Sequence, residues 1–272
     1  MNKALEGASA LVTGGYGGFG KACAIALVRD GASVTLMGRN ATSLTQGRQI
    51  VLDVVPDARI ATHVGDATVE EDVSAAVDAA EKHGGGIDIV VATVGGARTI
   101  GPLDTHEYAS FLEELAVNAG SAFLVVRAAA PRMSRGGSFV FISSTAAVMP
   151  FPFIAGYCAG KAALEQFLKS VANELGPKGI RLNAVRPGLT HTDGADRAFA
   201  NEAYVATFIP KIPLGRTGVP TDIASAVRYL AGPESSWVTG QSFAVDGGHE
   251  LRGPPDSFHG SSSTPSGAPE PS

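Results

Sequence analysis

An apolar strand that runs straight into glycines constrains this chain most. Ala8-Ser9-Ala10-Leu11-Val12 leads into Thr13-Gly14-Gly15-Tyr16-Gly17-Gly18-Phe19-Gly20, and Lys21 to Arg29 then reads as a helix. Glycine at 14, 18 and 20 lets the backbone turn tightly and approach a pyrophosphate, which sits at the N-terminus of the following helix where the dipole favours an anion. A glycine-rich stretch alone also makes an ordinary tight turn. The strand before it and the helix after it favour the anion-binding reading.

Further apolar runs continue the rhythm: Val34 to Met37, Arg59 to Val64, Ile89 to Thr93, Ser138 to Ile142, Arg181 to Val185 and Ser242 to Val245, with helix-like stretches between them. Strands alternating with helices predict an α/β fold, a doubly wound parallel sheet with helices on both faces. The 272 residues contain no internal break, and sheets of this kind often reach that length as one domain. The expected domain spans 1–248. From His249 onward proline, serine and glycine dominate, so 249–272 is expected to be a disordered tail.

Composition excludes several function classes. A formal charge of -5 and a pI near 5.7, with no basic stripe, argue against a nucleic-acid partner. No uninterrupted apolar run is long enough to span a bilayer. The chain opens Met1-Asn2-Lys3-Ala4-Leu5-Glu6-Gly7 and enters a core strand, which predicts no signal peptide and a cytoplasmic location. The two cysteines, Cys23 and Cys158, lack metal-ligand spacing and read as reduced core residues, so no metal site is expected.

The chemistry-bearing pattern is Tyr157-Cys158-Ala159-Gly160-Lys161, a phenol and an ammonium four residues apart, with Ser144 thirteen residues before the tyrosine. On a helix that spacing puts both groups on one face. A cation beside a phenol favours the phenolate, which makes Tyr157 a candidate acid/base near neutral pH. Ser143 adjoins Ser144, but on a strand end the two point to opposite sides.

These two motifs, in this order and separation, resemble the short-chain dehydrogenase/reductase family over about Leu5 to Gly248. Thr13-Gly14-x-x-x-Gly18-x-Gly20 matches its cofactor turn, and Asp66, followed by Ala67, looks like its adenine-contacting aspartate. Asn118, Ser144, Tyr157 and Lys161 look like its catalytic tetrad, and Pro187-Gly188-Leu189-Thr190-His191-Thr192 like the segment beside the nicotinamide. One departure is plain. Where the family usually has Asn-Asn-Ala-Gly, tying the central strand to its neighbours, this chain has Ala92-Thr93-Val94-Gly95.

The resemblance implies a Rossmann-type fold and cofactor contacts from Thr13, Gly14, Gly18, Phe19, Gly20, Asp66, Ala67 and Gly95, with Pro187, Gly188 and Thr192 beside Tyr157 and Lys161. In the family a carboxylate ending the second strand holds the ribose hydroxyls of NAD. Here Gly38 and Arg39 stand there, which favours NADP, a guanidinium being able to grip a phosphate, with NAD as the alternative. Lys161 is expected to depress the Tyr157 pKa, Ser144 to orient the substrate oxygen, and Asn118 to position a water.

Apolar groups between Ser144 and Tyr157 (Val148, Met149, Phe151, Phe153, Ile154) and after Gly188 (Phe199, Tyr204, Phe208, Ile209) suggest a hydrophobic ketone or secondary alcohol. His191, near the nicotinamide end, could touch it, although a lone histidine more often satisfies a local hydrogen bond. The leading expectation is an NADP(H)-dependent carbonyl reductase. The alternatives are an NAD-dependent dehydrogenase of an alcohol such as a hydroxysteroid, and a catalytically silent nucleotide-binding sensor or scaffold. The resemblance further implies a homotetramer, or a dimer, built on the helices at 118–133 and 157–175. Ala159, Ala163 and Gln166 would lie off the core-facing stripe of Leu164, Phe167, Leu168, Val171 and Leu175.

Overall fold

The computed structural model describes residues 3–133 and 136–255. Seven strands, β1 (Ser9–Thr13), β2 (Ser33–Gly38), β3 (Ile60–Val64), β4 (Ile89–Ala92), β5 (Gly137–Ile142), β6 (Ile180–Pro187) and β7 (Ser242–Val245), form one sheet in the order β3-β2-β1-β4-β5-β6-β7. Every pairing is parallel. Parallel neighbours need long crossovers, and helices supply them. These are α1 (Gly18–Arg29), α2 (Ala41–Val54), α3 (Glu70–Gly84), α4 (Tyr108–Leu115), α5 (Ser121–Ala129), α6 (Ala155–Leu175), the short α7 (Asp196–Phe199) and α8 (Glu202–Phe208), and α9 (Pro220–Ala231).

Alternation along each strand divides the core into two layers, one on each face of the sheet. Phe139 and Phe141 of β5 pack with Val73 and Val77 of α3, Val125 of α5 and Leu164 and Leu168 of α6. Val140 and Ile142 pack with Leu27 of α1, Val51 of α2 and Ile223 and Val227 of α9. Strands covered on both faces carry continuous apolar runs, the signal that made them readable.

Two segments differ from expectation. Tyr108 to Arg132 forms one continuous helical run, in which a π-helical turn (Ala116–Gly120) joins α4 to α5. This 25-residue run, of hydropathy 1.4, is long and apolar enough to cross a bilayer by length and composition, although no single apolar stretch of the sequence is. Its inward side, Ala122, Val125, Val126 and Ala129, belongs to the core. At the C-terminal end the fold passes the expected boundary at 248: His249–Leu251 form a 3-10 turn, and His249 is fully buried. Asp246 stabilises that turn by accepting from the backbone N–H groups of Gly248 (2.8 Å) and Glu250 (2.7 Å). The rest of the expected tail, 256–272, lies outside the described residues.

The chain lays down β1, β2 and β3 on one side of the sheet and then returns to place β4 beside β1, with Thr13 paired to Ala92 at the carboxyl ends. The loops leaving these ends diverge, and a crevice opens between them.

Candidate active site

The crevice is a cleft of about 1250 Å³. Its nucleotide end is built from glycines that admit no side chain. A Cβ on Gly20 would stand 2.4 Å from the Gly14 carbonyl oxygen, and one on Gly18 2.9 Å from Thr192 Cβ. At Gly14 a Cβ would lie 2.5 Å from Thr93 Oγ1, and φ is +69°. The turn is thereby folded against the loop after β4 and the loop after β6, leaving the start of α1 open to an anion. Lys21 of α1 and Asp193 form an ion pair that clasps the second loop to the glycine turn.

Of the residues singled out in the sequence, Gly14, Gly18, Phe19, Arg39, Asp66, Ala67, Gly95, Ser144, Tyr157, Lys161, Pro187, Gly188 and Thr192 line the cleft. Thr13, Gly20 and Asn118 do not line it. They sit behind its wall. Thr13 offers its carbonyl to the Thr93 hydroxyl at 2.8 Å, which also reaches the Gly14 carbonyl at 3.3 Å. In the departed segment, therefore, a hydroxyl ties β4 to its neighbour.

Beside the glycines, Arg39 lies 3.8 Å from Asp66. Desolvation works to raise the Asp66 pKa, but hydrogen bonds from Thr68 and the charges of Arg39 and Arg98 hold it below the usual carboxylate range. Arg98 was not anticipated. It lines the cleft from the loop after β4 and brings a second guanidinium to the Arg39 end, a juxtaposition visible only once that loop is folded over.

The reactive groups come from the end of β5 and the first turns of α6. Ser143 and Ser144 do diverge: Ser143 donates to buried Glu165 Oε1 at 2.7 Å, while the Ser144 hydroxyl accepts from Ala146 N–H at 3.1 Å and hydrogen-bonds Tyr157. Lys161 is buried, and its ammonium donates to the Ile142 carbonyl at 2.8 Å and sits 5.8 Å from the Tyr157 ring centroid. Burial pulls the Lys161 pKa down to about 8, partly opposed by the Glu165 carboxylate. Burial pushes the Tyr157 phenol up, Ser144 pulls it back, and the charges of Cys158 and Glu114 add to the rise. The expectation that Lys161 depresses the Tyr157 pKa is not met in this arrangement. Desolvation dominates, and the ammonium is turned to the Ile142 carbonyl.

Asn118 lies in the π-helical turn, and its side-chain amide is committed: Oδ1 accepts from Gly96 N–H (2.9 Å), and Nδ2 donates to the carbonyls of Gly96 (3.1 Å) and Glu114 (3.0 Å). Its amide thereby holds the loop after β4. One turn earlier, buried Glu114 accepts from the N–H groups of Arg98 (2.6 Å) and Thr99 (2.9 Å). Together they pin the loop at 96–99. Glu114 escaped the sequence reading because nothing local marks an isolated glutamate as a loop anchor. Gly95, drawn over the pair, has no room for a Cβ, which would stand 2.6 Å from Lys161 Nζ.

The other end of the cleft is aromatic and apolar. Phe151, Phe153, Ile154, Tyr204 and Phe208 line it as expected, and His249 joins them. Val148 is exposed, Met149 is buried, and neither lines the cleft; nor do Phe199 and Ile209. His191 stacks on Phe199 with centroids 4.2 Å apart and faces Asp196 at 3.4 Å, away from the cleft lining. Cys23 is buried, its thiol pushed up to about 12, which makes it inert. Among the described residues no cluster suited to a metal ion occurs.

The family described as Enoyl-(Acyl carrier protein) reductase matches residues 14–250. A 7alpha-hydroxysteroid dehydrogenase from Clostridium sardiniense is 35% identical over 260 residues, 93% of this chain and 97% of its own. A solved short-chain type dehydrogenase/reductase from Mycobacterium ulcerans superposes with a TM-score of 0.89 at 34% identity over 93% of each chain. This chain is a short-chain dehydrogenase/reductase. Another solved member, a 7 alpha-hydroxysteroid dehydrogenase complexed with NADH and 7-oxo glycochenodeoxycholic acid, gives a TM-score of 0.85 at 32% identity over 91% of this chain and 96% of its own. Relatives include named dehydrogenases and reductases of alcohol and carbonyl carbons, so this short-chain dehydrogenase/reductase is an NAD(P)-binding oxidoreductase of such carbons, and the silent-scaffold reading falls. The glycine cradle, the switch-point crevice and the Arg39 and Arg98 guanidiniums fit such a nucleotide.

Proposed function

We propose that the protein is an NADP(H)-dependent oxidoreductase that interconverts a hydrophobic ketone and its secondary alcohol, with Tyr157 as acid/base. The observation that carries this reading is the convergence of Ser144, Tyr157 and Lys161 on one cleft wall, between the glycine cradle and an aromatic pocket. When bound, the nicotinamide supplies or accepts a hydride at the substrate carbon. The chain's own residues handle the oxygen. Ser144 and Tyr157, side by side on the cleft wall, each turn their single hydroxyl proton from the other to the carbonyl oxygen. As the carbonyl is reduced, the phenolic proton passes to the new alkoxide, and in the reverse direction the phenolate takes it back. The Lys161 ammonium, anchored on the Ile142 carbonyl and lining the cleft beside Tyr157, would hold the nicotinamide ribose.

Gly38, which brings no carboxylate, and the two guanidiniums Arg39 and Arg98 support NADP. The relative solved with NADH favours a second reading, an NAD-dependent alcohol dehydrogenase. Phe151, Phe208 and Tyr204 support an extended apolar substrate, and the hydroxysteroid dehydrogenases among the relatives support a fused-ring one.

Titration with NADPH and NADH, each followed by nicotinamide fluorescence, decides the cofactor: tighter NADPH binding is expected, and tighter NADH binding transfers the conclusion to the second reading. Tyr157→Phe should keep cofactor affinity while turnover of a steroid ketone falls by about 10²–10⁴-fold, the usual worth of a positioned acid/base. Unchanged turnover would remove Tyr157 from the mechanism.

A further inference from the structure

Gly38 ends β2 at the nucleotide end of the cleft, and its φ is not positive, so its backbone does not demand glycine. Space does. A Cβ built there would stand 2.5 Å from Tyr16 Cε1 and 2.6 Å from Cδ1, with Leu44 Cδ2 at 3.5 Å. The ring that fills this space belongs to the glycine-rich turn, and that turn is fixed to β2 just before Gly38. Gly15 N–H donates to the Met37 carbonyl at 3.0 Å, and Gly15 packs so closely on Leu36 that a Cβ would lie 2.7 Å from Leu36 Cβ. Behind it stands α2, where a Cβ on Gly47 would meet Tyr16 Cα at 3.4 Å and Cβ at 3.5 Å. The Gly15 hydrogen bond and its close packing on Leu36 therefore hold the backbone beside residue 16 in place. Only a side-chain rotation moves the ring, and the open space beside it is the cleft that Tyr16, Gly38, Arg39 and Asp66 line together.

We infer that Tyr16 and Gly38 form a single selectivity element, in which the phenol ring occupies the place where an acidic side chain at position 38 would have to start. The pocket is closed to carboxylate recognition of the ribose hydroxyls by packing as well as by composition, and Arg39, 61% exposed in its side chain, is left to meet the ribose substituent. A carboxylate introduced at 38 without removing the ring either strains β2 or pushes the ring into the nucleotide's space. The direction of this selectivity rests on the NADP(H) reading above; the coupling of the two positions does not.

The test is a double-mutant cycle on binding, with dissociation constants for NADPH and NADH measured by nicotinamide fluorescence on the wild type, Tyr16→Ala, Gly38→Asp and the double variant. Gly38→Asp alone is expected to weaken NADPH by at least about tenfold and to gain no NADH affinity, while the double variant binds NADH about tenfold more tightly than Gly38→Asp. If Gly38→Asp alone binds NADH as tightly as the double variant, or the two changes simply add, the inference is overturned. Should Gly38→Asp not fold, Gly38→Ala adds only the Cβ: it should lower Tm, and Tyr16→Ala in the same chain should restore it. An unchanged Tm in Gly38→Ala overturns the inference equally. A wild type that prefers NADH would sink the NADP(H) reading alone, because the coupling is read from four constants whichever nucleotide binds better.

Discussion

A lysine held out of water at the site carries a stability cost whose sign can be checked. The Lys161 pKa is about 8 in the fold against 10.5 unperturbed, so the unfolded chain binds the extra proton more tightly between those values. Stability then rises with pH across that window, and the full penalty stands below pH 8. At ~1.4 kcal/mol per unit the penalty is ~3.5 kcal/mol, and the ~1 kcal/mol bond to Ile142 that a replacement would lose offsets part of the gain from removing it. Lys161→Met is expected to stabilise the protein by roughly 2 kcal/mol at pH 7 while abolishing turnover, and its advantage over the wild type should shrink by pH 10 in urea unfolding. A variant less stable than wild type at pH 7 would contradict this. Glu165→Gln removes the carboxylate that props the Lys161 pKa up, so the alkaline limb of kcat/KM should move to lower pH. The spacing of Ser144, Tyr157 and Lys161 is legible in the sequence because it is local. The protonation balance is not, since Glu114 and the desolvating walls arrive from segments that only the fold brings together.

Among the elements, the strand–turn–helix at 9–29 was the most readable, and its glycines separate into those the fold requires and those it does not. Gly20 abuts the Gly14 carbonyl at a distance no Cβ tolerates, and backbone cannot swing aside. Gly17, with φ of -71° and its nearest neighbour 3.4 Å from a built Cβ, has room. Gly20→Ala should therefore cost about 1–3 kcal/mol by overpacking, whereas Gly17→Ala should leave the unfolding midpoint nearly unchanged. Equal losses in the two would mean that the turn is limited by flexibility and not by space. The segments the sequence misjudged follow a physical rule as well. Composition at 249–255 reads as tail, but Asp246 caps the turn and Glu250 lies 3.3 Å from Arg186. The first is a local cap that composition does not reveal, and the second is tertiary. The π-helical turn at 116–120 is likewise invisible to hydrophobic periodicity, because Asn118 and the loop at 96–99 hold it in place.

At the scale of the whole molecule, two of the places where large apolar side chains stand exposed bear on assembly. One lies on the 108–132 run and α6, where Tyr108 is 75% and Phe123 46% exposed, and Phe123 meets Phe167 edge-on at 6.1 Å. Ala163 and Gln166 are exposed on α6, away from buried Leu164 and Leu168, as the interface reading requires. The other lies at the β7 edge of the sheet, where Trp237 is 98% exposed and Phe243 39%. Apolar patches of this kind mark association surfaces when they are contiguous. A tetramer would use each as a two-fold contact of its own. Light scattering should give a mass near four times 27.7 kDa, and Phe123→Glu should reduce it to a dimer held by the β7 side alone. Trp237, the single tryptophan of the chain, then reports which contact survives. Its emission should stay blue-shifted in the Phe123→Glu dimer and move to the red only when that dimer dissociates. A wild-type mass of 27.7 kDa would overturn the assembly altogether, and red emission in the intact tetramer would move the second contact away from β7.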